Sequence, residues 1–301
     1  MSWLVNSNSI KPSLQFRELM GKPGVMKIPG AHDGLSAILA RKTGFQIIYL
    51  SGGAFSASRG IPDVGLITLS ELAEKTKELY RASGLPILVD IDTGFGSTLN
   101  VIRTIKELEE AGAAAVQIED QDLPKKCGHL NGKKLVSQEE MVQKIQACRQ
   151  ASKDIVIVAR TDAFSVEGKE QAIARAKAYE AAGADIIFPE ALSMEEDFKV
   201  FSQSISIPLL ANMTEFGRTP YYTAGQYEEW GYKFVIYPVT SLRAAAFAVE
   251  RVYKEINING TQANMISQMQ TREDLYNTIN YYDYENLDNT IAKTVLNSVE
   301  K

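Results

Sequence analysis

The sequence predicts an α/β fold, a (β/α)8 barrel of the TIM type, and three observations carry that expectation. One layout recurs four times, a helical pattern running into a glycine and then an apolar strand: LARKTGFQIIYLSG, LEEAGAAAVQIED, YEAAGADIIFPEA and YEEWGYKFVIYPVT. Four more apolar runs, at 24–30, 85–92, 154–163 and 207–213, bring the strands to eight, and most are continuous, as parallel strands covered on both faces require. Eight alternations over about 230 residues match the length of such a barrel, typically about 250 residues.

Each element has a local reason. Gly44, Gly112, Gly183 and Gly231 stand where a helix stops, where glycine can close the turn in the left-handed conformation. Amphipathic patterns at 70–83, 99–111, 137–152 and 169–182 supply helices between strands. A doubly wound open sheet is the runner-up. It would more naturally carry a nucleotide loop, and no G-x-G-x-x-G or Walker sequence follows any strand; DTGFGS at 92–97 lacks the spacing. The tail, 258–301, is polar, tyrosine-rich and helical in pattern, an extension of the single domain 1–301 that serves packing or subunit contact.

Composition excludes several function classes. The chain has 301 residues and a net charge of -5, which does not suit a nucleic-acid binder. No apolar run approaches the roughly 20 residues of a membrane span. The start, MSWLVNSNSIKPSLQF, lacks the parts of a secretory signal, so a cytosolic protein is expected and the sequon at Asn259 is incidental. Cys127 and Cys148 are not in a C-x-x-C arrangement and build neither a disulfide scaffold nor a structural zinc site.

In such barrels the C-terminal strand ends build the active site. Here they carry His32 and Asp33, Ser51-Gly52-Gly53, Asp90 and Asp92, Glu119 and Asp120, Arg160 and Asp162, Glu190, and Asn212. Asp90 and Asp92, two apart on a strand, should point the same way. Close carboxylates repel, so either a divalent cation or a pairing Arg or Lys must compensate them. An all-oxygen site favours Mg2+ or Mn2+, and Glu119 could complete it. Arg160 and Arg243, on the same barrel face, suit a substrate with several carboxylates, although each alone could serve a structural ion pair.

The connection after strand 4, residues 121–136, is long for such a loop and reads as a lid. It holds KKCGHLNGKKL, with Cys127 and His129 among Lys125, Lys126, Lys133 and Lys134. Half a metal site, a redox thiol and an acid/base thiol compete as explanations. The scarcity of Cys and His favours the third, and the lysines would draw the lid over an anionic substrate and lower the Cys127 pKa. Cys148, inside a helical pattern, reads as a small buried hydrophobe.

KKCGH on the lid, SGG after strand 2, DIDTGFG on strand 3, ARTDA on strand 5 and ANMTEFG on strand 7 together resemble the isocitrate lyase and phosphoenolpyruvate mutase superfamily, over nearly the whole chain. The resemblance is to its shorter lyases. It implies retro-aldol (Claisen-type) cleavage of a small tricarboxylate, 2-methylisocitrate, to pyruvate and succinate in the methylcitrate route of propionate breakdown. Mg2+ would sit at Asp90 and Asp92, with Asp63 and Glu119 supporting those ligands. Cys127 would be the acid that protonates the succinate fragment, with Lys126, His129 and Glu190 setting proton positions.

The resemblance further places Ser51, Gly52, Gly53 and Arg160 on the pyruvate half. It sets Gly128, Asn212, Met213, Thr214, Arg243 and Arg272 on the rest of the substrate. Tyr49 is a candidate base, or a packing residue. FPE at 188–190 and Ile236 stand where isocitrate lyases carry bulkier aromatics, which implies room for a methyl group. A helix of the tail would be exchanged between subunits of a homotetramer. The rivals are isocitrate cleavage, oxaloacetate decarboxylation or phosphonopyruvate processing, and a carboxylate sensor without turnover. A Schiff-base aldolase is disfavoured because Lys27 lies inside strand 1 and no lysine ends a strand.

Overall fold

A computed structural model describes residues 10–299. The first nine residues, on which much of the N-terminal reading rests, and the last two of the tail lie outside them. Eight strands follow one another: β1 (Met26–Pro29), β2 (Ile48–Leu50), β3 (Ile87–Asp90), β4 (Ala115–Glu119), β5 (Val156–Thr161), β6 (Ile186–Pro189), β7 (Leu210–Asn212) and β8 (Phe234–Tyr237). All eight predicted strands are present, trimmed by one to three residues at each end.

All pairings are parallel, in the orders β2-β3-β4-β5-β6 and β1-β8-β7. Parallel bridges Gly30 to Tyr49 and Ile187 to Leu209 join the two sheets and close the barrel. The interior is a layered core that includes Ile28, Leu88, Val158, Ile186, Leu210 and Phe234.

The helices are α1 (Pro12–Met20), α2 (Gly34–Lys42), α3 (Gly52–Ser58), α4 (Leu69–Ser83), α5 (Thr98–Ala111), α6 (Gln138–Ala151), α7 (Lys169–Ala181), α8 (Glu195–Ser204), α9 (Ala224–Glu229), α10 (Thr240–Asn259), α11 (Arg272–Thr278) and α12 (Tyr281–Val299). The four amphipathic patterns emerge as α4, α5, α6 and α7, each within a residue of its expected bounds. The four predicted helix-stopping glycines all have positive φ, between 89° at Gly231 and 104° at Gly183.

The sequence did not suggest α1. It plugs the N-terminal end of the barrel: Phe16 lies 5.6 Å from Phe234 between ring centroids, and Arg17 forks onto Asp185 at 3.0 and 3.1 Å. The other surprise is α10. It follows β8 but buries none of its residues, leaving Phe247 and Tyr253 64% and 69% exposed. Among the described residues no helix is long and apolar enough to cross a membrane.

Candidate active site

A cavity of about 320 Å3 opens at the C-terminal ends of the strands. Strand geometry and the loop after β2 build its first wall. Asp90 ends β3. Asp92, contrary to expectation, lies beyond the strand in a turn with φ 50°, so strand alternation does not align the two carboxylates. Gly52 gathers them instead: a Cβ there would lie 3.2 Å from Asp92 Oδ1 and 3.3 Å from Asp90 Oδ2. The Gly52 amide donates to Asp90 Oδ2 at 3.3 Å, and the Asp92 amide to Asp90 Oδ1 at 3.1 Å. A Cβ on Gly53 would stand 3.3 Å from Asp63 Oδ2. The glycine pair lets the start of α3 approach three carboxylates without pushing them back by a few tenths of an ångström.

Lys125 departs from the expectation of a lid lysine turned towards substrate. Its side chain is buried, with Nζ 2.5 Å from Asp92 Oδ1 and 2.7 Å from Asp63 Oδ1. Burial opposes its charge, but Glu119, Asp92, Asp90 and Asp63 hold its pKa well above the usual lysine value. Burial pushes the Asp92 carboxyl up to about 6, against the pull of Lys125. Glu119, also buried, meets Arg160 Nη1 at 3.1 Å, yet burial drives its pKa well above the carboxylate range.

Among the described residues no three His, Cys, Asp or Glu side chains converge at metal-holding spacing. Two carboxylates with water and substrate oxygens are nonetheless the set Mg2+ takes, since it dehydrates reluctantly and needs only one or two protein carboxylates. Asp63, Asp90, Asp92 and Glu119 gather around the single ammonium of Lys125, with Arg160 meeting Glu119, and acceptors here outnumber cations. The residues fit a hard divalent cation.

Tyr49 points into the barrel mouth, its hydroxyl 3.2 Å from Asp90 Oδ2 and 3.0 Å from Gln117 Oε1. Burial, then Asp90, raises its pKa well above 10, so the resting group is the neutral phenol. Ser51 caps α3 through Ala54 N at 3.3 Å and lines the cavity.

The lid, residues 120–137, forms the opposite wall. Its limbs pair through a bridge between Gln121 and Leu135, and the Gln121 side chain clamps both backbone groups of Lys126 at 2.9 Å. This places an exposed Cys127 at the cavity. Gly128 packs so tightly that a Cβ would lie 2.3 Å from Glu190 Cγ and 2.7 Å from Arg160 Nη2. His129 Nδ1 accepts from the Arg218 amide at 3.0 Å, so its proton is assigned to Nε2, which stands 3.5 Å from Glu190 Oε1. Burial lowers the His129 pKa, reinforced by Arg160, Lys133 and Arg218 against Glu190, and the imidazole is neutral.

Arg160 is nearly buried and already heavily engaged. Nε and Nη2 meet Asp162 at 2.9 and 3.1 Å, and Nη1 lies 3.1 Å from Glu119 and 3.5 Å from Glu190. Glu190 Oε2 accepts from Asn212 at 3.4 Å. Arg243, at the start of α10, lines the cavity and is tied to Glu215 Oε2 at 2.8 Å.

The structure thus brings together Tyr49, Ser51, Gly53, Asp63, Asp90, Lys126, Cys127, Gly128, His129, Arg160, Glu190, Asn212, Thr214 and Arg243 in one lining. Gly52, Asp92 and Glu119 stand directly behind it. Met213 does not line the cavity but is buried in the outer core, because side chains alternate across β7 and its end. Arg272 is not brought to the cavity either: it opens α11, which packs on α2. Asp33 caps α2 through the Ser36 amide at 2.7 Å, with His32 beside it, and neither reaches the cavity. Missed by sequence reading were the buried partners Lys125, Lys133 and Asp162, and Arg218, which fastens the lid. In the sequence Asp162 stands only as a strand-end charge.

Residues 16–257 match the phosphoenolpyruvate phosphomutase family. The chain is 59% identical over 298 residues to 2-methylisocitrate lyase of Bacillus subtilis (strain 168), covering 98% of this chain and 99% of that protein. The crystal structure of 2,3-dimethylmalate lyase, a PEP mutase/isocitrate lyase superfamily member, superposes with a TM-score of 0.87 at 31% identity, covering 94% of this chain and 96% of that one. Phosphonopyruvate hydrolase, solved with oxalate and Mg2+, superposes with a TM-score of 0.84 at 28% identity, over 93% of this chain and 98% of that one.

Proposed function

The chain belongs to the phosphoenolpyruvate phosphomutase family, and from that premise we propose that it is a carbon–carbon lyase cleaving 2-methylisocitrate to pyruvate and succinate, in the methylcitrate route of propionate breakdown. One observation carries the reading: a lid thiol, Cys127, faces a cavity with a guanidinium and a neutral imidazole on one side and a buried carboxylate group on the other.

Asp90 and Asp92 would hold Mg2+, for which Mn2+ could substitute, steadied by Asp63 through Lys125 and by Glu119. A cation bound there supplies compensation for negative charge on substrate oxygens. Ser51 Oγ and the Gly53 amide receive the pyruvate half, and Arg160 its carboxylate. Asn212, Thr214 and Arg243 take the remaining carboxylates. Tyr49, its hydroxyl set 3.2 Å from Asp90 Oδ2 and 3.0 Å from Gln117 Oε1, is the candidate base that accepts the substrate hydroxyl proton as its own phenol proton leaves to solvent. As the carbon–carbon bond breaks, the Cys127 thiol gives its proton to the carbon of the departing succinate half. His129 orders Glu190, and Lys126 adds positive charge at the cavity edge. Phe188 and Ile236 supply the apolar wall for the methyl group.

We also read the working form as a cytosolic homotetramer with C-terminal helices exchanged. Its support is that α10 buries nothing within its own chain. Light scattering coupled to gel filtration checks it, and a monomeric mass would reject it.

Pyruvate from 2-methylisocitrate and glyoxylate from isocitrate, each with Mg2+ and with EDTA, test the reaction. Pyruvate that vanishes with EDTA and exceeds glyoxylate is expected. One methyl is worth about 10 to 200-fold. Dominant glyoxylate would reject the methyl pocket, and neither product would reject the lyase reading.

A further inference from the structure

Lys133 lies on the return limb of the lid, with its side chain almost wholly buried at 1% exposure. Its Nζ donates to the Gly128 carbonyl and to Asp162 Oδ1, the latter at 2.8 Å. That same Oδ1 accepts from Arg160 Nη2 at 3.1 Å, while Oδ2 accepts from Arg160 Nε at 2.9 Å. One carboxylate is therefore shared between a lid lysine and the guanidinium on the barrel rim.

Asp162 cannot follow the lid. Its amide donates to Asp120 Oδ1 at 2.9 Å, and Asp120 Oδ2 accepts from Thr161 and Tyr179, both at 2.8 Å. The foot of the lid is fixed as well, since Arg175 of α7 donates to the Val136 carbonyl at 3.0 Å. Between these anchors the lid is held by side-chain contacts, Lys125 on Asp92, Arg218 on His129 and Lys133 on Asp162, and the last of these bears directly on Arg160. If the lid lifts, the ammonium leaves a carboxylate that stays in place.

The electrostatic consequence falls on Arg160. Asp162, Glu119 and Glu190 all stand within 3.5 Å of its nitrogens. With Lys133 seated, the Asp162 charge is divided between two cations. With Lys133 withdrawn, Arg160 faces these carboxylates alone, and its positive field is neutralised internally. Burial raises the Asp162 carboxyl, yet Arg160 and Lys133 together bring it below the ordinary carboxylate value, consistent with a charge shared by both.

We propose that Lys133 is a positioning residue that couples lid closure to carboxylate binding: seated on Asp162, it staples the Cys127–His129 turn over the cavity and takes up part of the Asp162 charge, so that Arg160 is less fully neutralised towards a substrate carboxylate. The assignment rests on the lyase reading of the cavity. Coupling is reciprocal, so the factor by which closure strengthens carboxylate binding is the factor by which a carboxylate favours closure.

Oxalate with Mg2+ serves as the probe, with affinity read by calorimetry and lid opening by amide hydrogen exchange over residues 122–136. In Lys133→Met the oxalate Kd should rise about tenfold, within the usual 5 to 150-fold range of coupling, and lid exchange should accelerate by a similar factor. KM for 2-methylisocitrate should rise with the oxalate Kd, and Lys133→Arg should recover most of both. An unchanged oxalate Kd in a Lys133→Met protein of unchanged Tm would overturn the proposal. If that variant fails to fold, the wild type decides: oxalate must slow lid exchange, and no slowing overturns the coupling. Lys133-dependent oxalate binding in an enzyme that leaves 2-methylisocitrate intact would uphold the coupling and reject the lyase reading alone.

Discussion

The two walls of the cavity are built on opposite plans. The wall over β2 to β4 collects Asp63, Asp90, Asp92 and Glu119 around one ammonium, Lys125, and backbone shape holds it: glycines that admit close approach and a turn through a left-handed Asp92. The lid wall collects Arg160, Lys133 and Arg218 around Asp162, Glu190 and His129, and side chains that bridge distant loops hold it, Lys133 to Asp162 across 29 positions and Arg218 to His129 across 89. The backbone-held carboxylates stay in place when the cavity opens, and that wall loses Lys125, which the lid carries. A wall made by long-range side-chain bonds comes apart as the lid lifts, which suits a gate whose opening is drawn from the less stable part of the fold.

The largest expected effect strikes the chemistry of the lid wall. Cys127→Ser should lower kcat by about 10^2 to 10^4-fold, the usual worth of a positioned proton donor, while the oxalate Kd stays put. Retained turnover would move the acid elsewhere. Next comes Gly128→Ala, whose Cβ would lie 2.3 Å from Glu190 Cγ and so prop the lid open. A displacement of about 1 Å can cost about 10^2-fold, and kcat/KM should fall by that order with Tm nearly unchanged. An active, normally stable variant would show that the lid closes in another way.

On the opposite wall, Gly52→Ala should weaken Mg2+ binding about tenfold by calorimetry, because shifting a supporting contact typically costs 10 to 100-fold in metal affinity. Asp90→Ala should remove the binding altogether, and an unchanged Mg2+ isotherm in either variant would disconnect this wall from the cation.

The smallest effect is in pH. The Asp92 pKa is raised, to about 6, so the fold disfavours its ionised form. Its contribution to stability is present below the ordinary carboxylate value of about 3.9 and is lost as pH rises through about 6. Without divalent cation, Tm should therefore drift down over that window. Mg2+ affinity, which needs the ionised group, should fall by up to about tenfold per unit below about pH 6. A flat profile in both measurements would deny Asp92 its strained position.

Much of the barrel was legible because its signals are short-range. Apolar runs such as ILVD and VIVART cannot be satisfied except by burial, and a glycine ending an amphipathic stretch limits the backbone locally. Most of the candidate rim was legible for the same reason, since strand ends fix which side chains face the mouth. What stayed hidden depends on partners far along the chain. Lys125 and Lys133 look like solvated lid charges until Asp92 and Asp162 appear beside them. Arg218 has no meaning without His129, and Met213 was carried by its neighbours in ANMTEFG although its own side chain turns outward into the core. The bare flank of α10 was beyond reach of periodicity, which measures a stripe but not what covers it.

The plug at the foot of the barrel orders events in time. Phe16, Leu19 and Arg17 leave a ribosome well before their partners, since Arg17 fastens to Asp185, 168 positions later. During synthesis Arg17 must wait for Asp185 until five of the eight strands have been made, and Phe16 must wait for Phe234 until the eighth. Such long-range closure slows folding and exposes nascent chains to one another. Assembly of this barrel should therefore finish at its floor, and a nascent chain halted before Asp185 would offer Arg17 the carbonyls of Asp154 and Ile155 but no carboxylate to close on.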